Sequence, residues 1–272
     1  MFFGSLHYAG FNAGFEGEVG PPSFVQGAWY SFTILAILGT HEMGHYFACR
    51  YYGVDASLPY FLPAPILTGT VGAFIRIRQP IPTKFMLFDI GAAGPIAGFL
   101  VAVPTLFLGL KLSRVVPLPD NFSGLTLGEP LLFQLAAFLV VGELPDGYAL
   151  NLHPMGFAAW FGLLATLLNL FPIGQLDGGH ISYAIFGSRS TVVSLLAVAV
   201  LVGLTFVSLS WLFWAILMVV MIAVLGPSHP PTIDHQIPLD LTRRRVALAT
   251  LVIFILCFTP APIEVGDLIS QP

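Results

Sequence analysis

The chain has 272 residues, of which 56% are hydrophobic and only 9% are charged, and its mean hydropathy is +0.87. Soluble globular domains carry about 25% charged residues, so this composition indicates a membrane protein that crosses the bilayer several times. The net charge of −4 and the scattered basic residues argue against a nucleic-acid partner. The two cysteines lie in apolar runs and predict neither a disulfide framework nor a thiolate metal site.

Residues 1–26 precede the first apolar span and contain no Lys or Arg. We expect an extramembrane N-terminal segment here, because a cleavable signal peptide would need a basic start and a short apolar core. The pattern predicts a single intramembrane domain over residues 27–259, followed by a C-terminal tail over residues 260–272.

The first span, from Gly27 to Cys49, contains the sequence His41-Glu42-Met43-Gly44-His45 and has no charge other than Glu42. Residues four apart lie on one face of a helix, so His41 and His45 can bind one metal ion. Glu42 is offset by roughly 100°, which favours a general base over a third ligand. Because the run is long enough to cross a bilayer, the motif predicts hydrolytic chemistry inside the membrane.

A non-helical connection with several prolines follows, from Tyr51 to Pro82. Within it, Thr70 to Arg78 is rich in β-branched and aromatic residues and places its charges on alternate positions, a pattern that predicts a strand or hairpin. One interpretation is an ordinary connecting strand. The other is a sheet edge beside the active site, where a substrate binds as an added strand.

The second span, Phe85 to Leu110, holds Asp89 and a run of small residues from Gly91 to Gly98. Small residues let helices approach closely in lipid, so we interpret the glycines as packing residues. Pro95 should loosen the helix locally. We interpret Asp89 as a partner of local backbone, Arg or Lys groups rather than as a catalytic residue.

The third span, His153 to Phe171, ends in an irregular segment that reaches His180 and contains Pro172 and several glycines. Such a segment is tolerated at membrane depth only where it is buried in protein or lines a wet cavity. An ionisable residue in a membrane segment is a functional-site hypothesis, and catalytic zinc has three protein ligands. Asp177 is therefore the best candidate for a third ligand.

Two neighbours of Asp177 remain open to more than one interpretation. Asn169 either only caps the broken helix or also donates a hydrogen bond to the substrate or the developing oxyanion. His180 is either a partner that orients a ligand or a packed helix histidine.

Further spans are predicted over residues 191–207, 208–225 and 246–259, while residues 131–141 are too few to span and suggest a re-entrant or interfacial segment. Eight of the ten basic residues follow the first, third and fifth spans. By the positive-inside rule these loops are cytoplasmic. The active site is then expected on the cytoplasmic side of a cell (inner) membrane, in a multi-pass protein.

The predicted fold class is an all-α polytopic membrane protein. It has about six transmembrane helices, a small membrane-associated β-hairpin or strand, and a broken helix that carries the third metal ligand.

The His41-Glu42-Met43-Gly44-His45 motif together with Leu176-Asp177-Gly178-Gly179 resembles the site-2 protease family of intramembrane zinc metalloproteases. This resemblance implies one Zn²⁺ per chain with His41, His45 and Asp177 as ligands, and Glu42 as the general base. Asn169 with Pro172, and Gly94-Pro95 with Gly98, match further motifs of the family. The approach to Asp177 through Gly174-Gln175 is less Pro-rich than in many members, and we expect the compact form without a PDZ or CBS domain.

The implied activity is hydrolysis of peptide bonds within or near the transmembrane helices of membrane-protein substrates. The expected partners are therefore a transmembrane protein substrate and membrane lipid. Two alternatives are an intramembrane metal-ion transporter and an inactive membrane scaffold that retains zinc. The sequence shows no internal repeat of the kind many transporters have, and neither alternative explains Glu42 between the two histidines.

Overall fold

The computed structural model describes residues 24–63, 70–117, 123–226, 232–234 and 237–267. The predicted N-terminal segment lies outside these residues, apart from its last three positions, and so do the last residues of the predicted tail. The helices are α1 (Phe24–Tyr51), α2 (Lys84–Leu112), α3 (Leu131–Val140), α4 (Pro154–Leu170), α5 (Asp177–Phe186), α6 (Ser190–Leu204), α7 (Ser210–Leu225) and α8 (Leu241–Cys257). A short 3-10 turn, Gly187–Arg189, joins α5 to α6.

Short strands form three antiparallel pairs within the described residues. They are β1 (Tyr60–Pro63) with β2 (Thr70–Phe74), β3 (Arg114–Pro117) with β5 (Tyr148–Asn151), and β4 (Ser123–Leu127) with β6 (Ile263–Asp267). The first pair confirms the strand predicted after Thr70, and an isolated bridge between Ala56 and Ile77 continues it.

The prediction of a mostly helical protein with a small hairpin is confirmed, while the pairs β3–β5 and β4–β6 were not predicted. Strands β3 to β6 are four or five residues long and pair with distant parts of the chain. Their sequences are too short to show a clear alternating pattern. Strand β6 lies in the predicted C-terminal tail, so the start of this tail pairs with β4.

The core is built where α1, α2 and α4 pack together. Helix α4 is apolar on every side and is buried along nearly its whole length, as expected for the central helix of a bundle. Its Phe157 and Trp160 are fully buried, with Tyr30 of α1 and Phe88 of α2 in the same cluster. This arrangement places the motif-bearing half of α1 against α2 and the end of α4.

The break predicted near Pro172 lies between α4 and α5. Residues 171–176 are not helical, and Gly174 adopts a positive φ of 52°. Ser194 of α6 satisfies the exposed backbone there: its hydroxyl donates to the Pro172 carbonyl at 2.9 Å and accepts from the Gly174 N–H at 3.2 Å. Helix α5 then begins at Asp177, where a Cβ on Gly178 or Gly179 would overlap the backbone of the break. The glycines therefore permit the sharp turn that presents Asp177.

Two helical stretches in the described residues, Lys84–Leu112 and Asp177–Leu204, are long and apolar enough to cross a membrane. Three other apolar helices, α3, α4 and α7, are shorter. Helix α1 has 28 residues but is not one of the two stretches, so six spans remain a prediction. Large apolar side chains point away from the protein on several helices, for example Phe32 and Val224, which are 71% and 75% exposed. Exposed apolar surface of this kind is typical of a protein that contacts lipid.

Candidate metal centre

Three predicted ligands meet at one point. The Nε2 atoms of His41 and His45 lie 3.1 Å apart. Asp177, at the start of α5, places Oδ2 3.1 Å from His41 Nε2 and Oδ1 3.3 Å from His45 Nε2. The two histidines share one face of α1 because they are four residues apart, and the break before α5 brings the carboxylate to them.

The spacing of these atoms fits a zinc ion. Zinc binds imidazole nitrogen at about 2.0 to 2.1 Å in tetrahedral sites, which places neighbouring ligand atoms about 3.3 Å apart. The three observed separations, 3.1 to 3.3 Å, agree with that value. Two imidazoles and one carboxylate also leave a fourth position open, as in catalytic zinc sites.

The orientation of His45 is set by a hydrogen bond from its other ring nitrogen. Nδ1 of His45 lies 2.7 Å from the backbone carbonyl oxygen of Ile90 on α2. Because a carbonyl only accepts, Nδ1 carries the proton and Nε2 is free to bind a metal.

Glu42 is buried next to the centre, one residue after His41 on α1. One of its carboxylate oxygens, one ring nitrogen of His41 and one of His45 all lie within 4.8 Å of one another, so these three side chains could also hold a metal ion. The backbone N–H of Ile75, just after β2, lies near this carboxylate. Glu42 is thus close enough to exchange a proton with a water molecule held at the centre.

Asn169 and His180 lie at different distances from the centre. The side-chain Nδ2 of Asn169, near the end of α4, is 3.4 Å from His41 Nε2, so its amide borders the space around the ligands. His180 packs against Gly91 of α2, one turn beyond Asp177. The packing contact agrees with a helix histidine, and its influence on Asp177 stays a prediction.

Three glycines let α1 and α2 approach closely at the centre. A Cβ on Gly44 would lie 2.5 Å from the Ala93 carbonyl oxygen, one on Gly94 would overlap the His45 ring, and one on Gly98 would lie 3.0 Å from the His41 Cβ. The interpretation of the second-span glycines as packing residues is confirmed. The sequence did not reveal that two of them face the predicted ligands. Helix α2 also runs unbroken through Pro95.

The residues of the metal centre also lie in the part of the chain that matches known proteins. The model of peptidase family M50 matches residues 29–210, most of the chain. The chain belongs to peptidase family M50. This confirms the resemblance to site-2 proteases, and the matched residues include every predicted member of the M50 metal centre.

The chain is similar to the probable zinc metalloproteases EGY2 of Oryza sativa subsp. indica and EGY1 of Arabidopsis thaliana, both described as chloroplastic. Each is 34% identical to this chain over 64% of its residues. The chloroplastic EGY2 of Arabidopsis thaliana is 29% identical over 80%. The chain spans about a third of the length of these relatives, from 32% to 39%.

A polar cluster joins Arg243, which lies beyond the M50 match, to Tyr52 and Asp89, which lie within it. Arg243 of α8 donates to Asp89 of α2 through Nε at 3.0 Å and Nη2 at 2.6 Å, and the Tyr52 hydroxyl donates to the same carboxylate. Burial, and then the hydrogen bond to Asp89, raise the pKa of Tyr52, so its hydroxyl stays protonated. The interpretation of Asp89 as a partner of an Arg or Lys is confirmed, although the sequence did not identify Arg243, 154 residues away.

Proposed function

We propose that this chain is an intramembrane zinc metalloprotease that hydrolyses peptide bonds within or near the transmembrane helices of other proteins. One observation carries the proposal: the ligand atoms of His41, His45 and Asp177 converge with zinc-like spacing, and Glu42 lies beside them within an apolar helix. Membership of peptidase family M50 supports the same activity.

When bound, zinc would polarise the scissile carbonyl and lower the pKa of water towards about 7. Glu42 then accepts the proton of the attacking water and delivers it to the leaving amine. Its burial excludes bulk water, and its offset from the ligand face keeps the carboxylate available for this transfer. Asn169 is placed to donate its amide N–H to the substrate carbonyl oxygen as charge develops there.

We further propose six membrane spans, formed by α1, α2, α4, α6, α7 and α8, with α3 as an interfacial or re-entrant helix. The outward apolar side chains on α6 and α7 support contact with lipid, and Phe206 at their junction is 90% exposed. Eight of the ten basic residues lie in the connections after α1, α4 and α7 or at the helix ends beside those connections. By the positive-inside rule, the metal centre then lies near the cytoplasmic face of a cell (inner) membrane.

The hairpin β1–β2 is proposed as the substrate-docking edge. Arg78 donates its backbone N–H to the Asp55 carbonyl, and Arg76 donates its backbone N–H to the Ser57 hydroxyl. Both N–H groups therefore face the segment that precedes β1. Donors alternate along a strand, so the N–H groups of Ala73 and Ile75 face the opposite side. The proximity of the Ile75 backbone to Glu42 supports an edge that lies beside the metal centre.

A docking edge on β2 would allow a helical substrate to be cut. The carbonyls of a helix are already hydrogen-bonded along its backbone, so the segment to be cut must unwind first. Main-chain hydrogen bonds to Ala73 and Ile75, on the side away from Asp55 and Ser57, would hold the unwound segment beside Glu42.

Cleavage by the purified chain tests the proposal. The full chain would be reconstituted with a membrane-protein substrate, and the products followed with zinc present, after removal by chelator, and after zinc is restored. We expect cleavage to stop with the chelator and to return with zinc. Substrate cutting that continues in metal-free protein would overturn the proposal.

A further inference from the structure

The polar cluster of Asp89, Arg243 and Tyr52 joins three segments that are far apart in the sequence. Asp89 lies in the second turn of α2, Arg243 in the first turn of α8, and Tyr52 directly after α1. The guanidinium of Arg243 meets both carboxylate oxygens of Asp89, and its Nη2 also lies 3.3 Å from the Tyr52 hydroxyl. Paired contacts of this kind fix direction as well as distance.

Arg243 is itself held from other sides. The side chain of Asp240, the N-cap of α8, accepts the Arg243 backbone N–H at 2.9 Å and also pairs with its guanidinium. The guanidinium carbon lies 4.9 Å from the centre of the Phe85 ring, within the range of a cation–π contact. The contacts with Asp240 and Phe85 therefore hold the Arg243 side chain in the conformation that reaches Asp89.

The residue after Asp89 is the one that orients His45. Ile90 buries its side chain against Cys49 and Val54, and its carbonyl oxygen accepts the Nδ1 proton of His45. Ile90 is thus positioned by its own packing on one side and by the Asp89 cluster one residue earlier in α2.

We propose that Asp89, fixed by Arg243 and Tyr52, is a positioning residue that keeps the Ile90 carbonyl aligned with His45. The inference rests on the proposed function, in which His45 is a zinc ligand. It also gives α8 a role at the metal centre, although this helix lies beyond residues 29–210 that match the family. Partners that orient a metal-binding histidine influence the affinity of the site without touching the metal.

Zinc affinity of the full chain in detergent tests this role, measured by competition with a chromophoric chelator. Asp89→Asn and Arg243→Gln should each weaken zinc binding by about tenfold, the lower end of the effect for partners of a ligand. The double variant should bind no more weakly than the weaker single variant, because both changes break one interaction. With cobalt in place of zinc, the absorption spectrum should change in both single variants.

The matched control is a second ion pair of the same type. Asp55 pairs with Arg78 at 3.4 Å, and both side chains are more than half exposed. Asp55→Asn removes a carboxylate in the same way as Asp89→Asn, but from an ion pair on the surface, outside α1 and α2. We expect its zinc affinity and cobalt spectrum to equal those of the wild type.

Thermal unfolding of the metal-free proteins separates positioning from a structural role. If Asp89→Asn and Arg243→Gln bind zinc as tightly as the wild type, the inference is overturned, whatever happens to stability. If Asp89→Asn fails to fold, Tyr52→Phe and Arg243→Lys test the inference instead, because each keeps most of the side chain. Unchanged zinc affinity in both of these variants would also overturn the inference. The His45→Ala variant distinguishes this inference from the proposed function. If His45→Ala loses zinc while Asp89→Asn binds it tightly, only the positioning role is wrong. If His45→Ala still binds zinc tightly, the proposed metal site is wrong.

Discussion

Gly94 of α2 faces the imidazole of His45 so closely that a Cβ atom at this position would overlap the ring. The same helix supplies the Ile90 carbonyl that orients His45. One side of α2 therefore both shapes and orients a predicted zinc ligand. The close approach of α1 and α2 is part of the metal centre and not only a general packing feature.

Replacing Gly94 with alanine should displace His45, because the two helices have no room for a methyl group. Overpacking of this kind costs about 1 to 3 kcal/mol. We expect Gly94→Ala to lose most of its zinc while the protein still inserts and folds, measured by metal analysis of the purified chain. Gly203→Ala is the control, since nothing among the described residues lies within 4 Å of its Cβ position. Full zinc occupancy in Gly94→Ala would contradict the close packing.

Alanine at His41, His45 or Asp177 should abolish stoichiometric zinc binding, which we expect to be about one ion per chain in the wild type. Removing one of three protein ligands leaves too few donors for a stable site. His153→Ala is the control, because His153 caps α4 and lies away from the centre. If the Asp177→Ala variant retained a full equivalent of zinc, Asp177 would no longer belong to the ligand set.

Glu42→Gln should keep zinc and lose cleavage, because the amide preserves the size of the side chain but cannot accept the proton. Loss of a general base lowers rates by about 10² to 10⁴. The comparison is zinc content and product formation in the same preparation. A variant that cuts normally would contradict the protease mechanism, as would a wild type that carries zinc across vesicles without cutting a substrate.

The Asn169→Ala variant distinguishes two roles of Asn169, a helix cap and a hydrogen-bond donor in catalysis. Loss of a hydrogen-bond donor to the developing oxyanion lowers kcat by about 10² to 10³, while zinc content should remain. The rate per folded molecule and the midpoint of thermal unfolding would be measured together. If unfolding shifts downward and the rate per folded molecule does not change, Asn169 only caps the broken helix.

Proline at Ala73 or Ile75 should weaken cleavage and leave zinc bound, because it removes a backbone donor from the edge that faces Glu42. Ala73→Ser and Ile75→Val keep the donor and serve as controls. We expect at least one proline variant to cut more slowly than its control while folding and zinc content stay the same. Equal rates in both well-folded proline variants would remove the docking role and leave the metal centre untouched.

The sequence by itself determined the parts of the site that depend on local geometry. His41, Glu42 and His45 lie within two turns of one helix, so their relative directions follow from helical periodicity. The hairpin strand after Thr70 was equally readable, because alternation extends over neighbouring residues. Asp177 lay far away in the sequence, yet an ionisable residue in a broken apolar helix marked it, and the resemblance to a known family gave it a role.

Only the tertiary structure decided the contacts that join distant segments. The pairing of β4 with β6 and the ion pair between Arg243 and Asp89 leave no local pattern, since either partner would look ordinary alone. Gly94 was recognised as a packing residue, but its contact with His45 depends on the rotation and separation of two helices. A helix fixes which residues share a face, while the packing of the whole bundle fixes what that face meets.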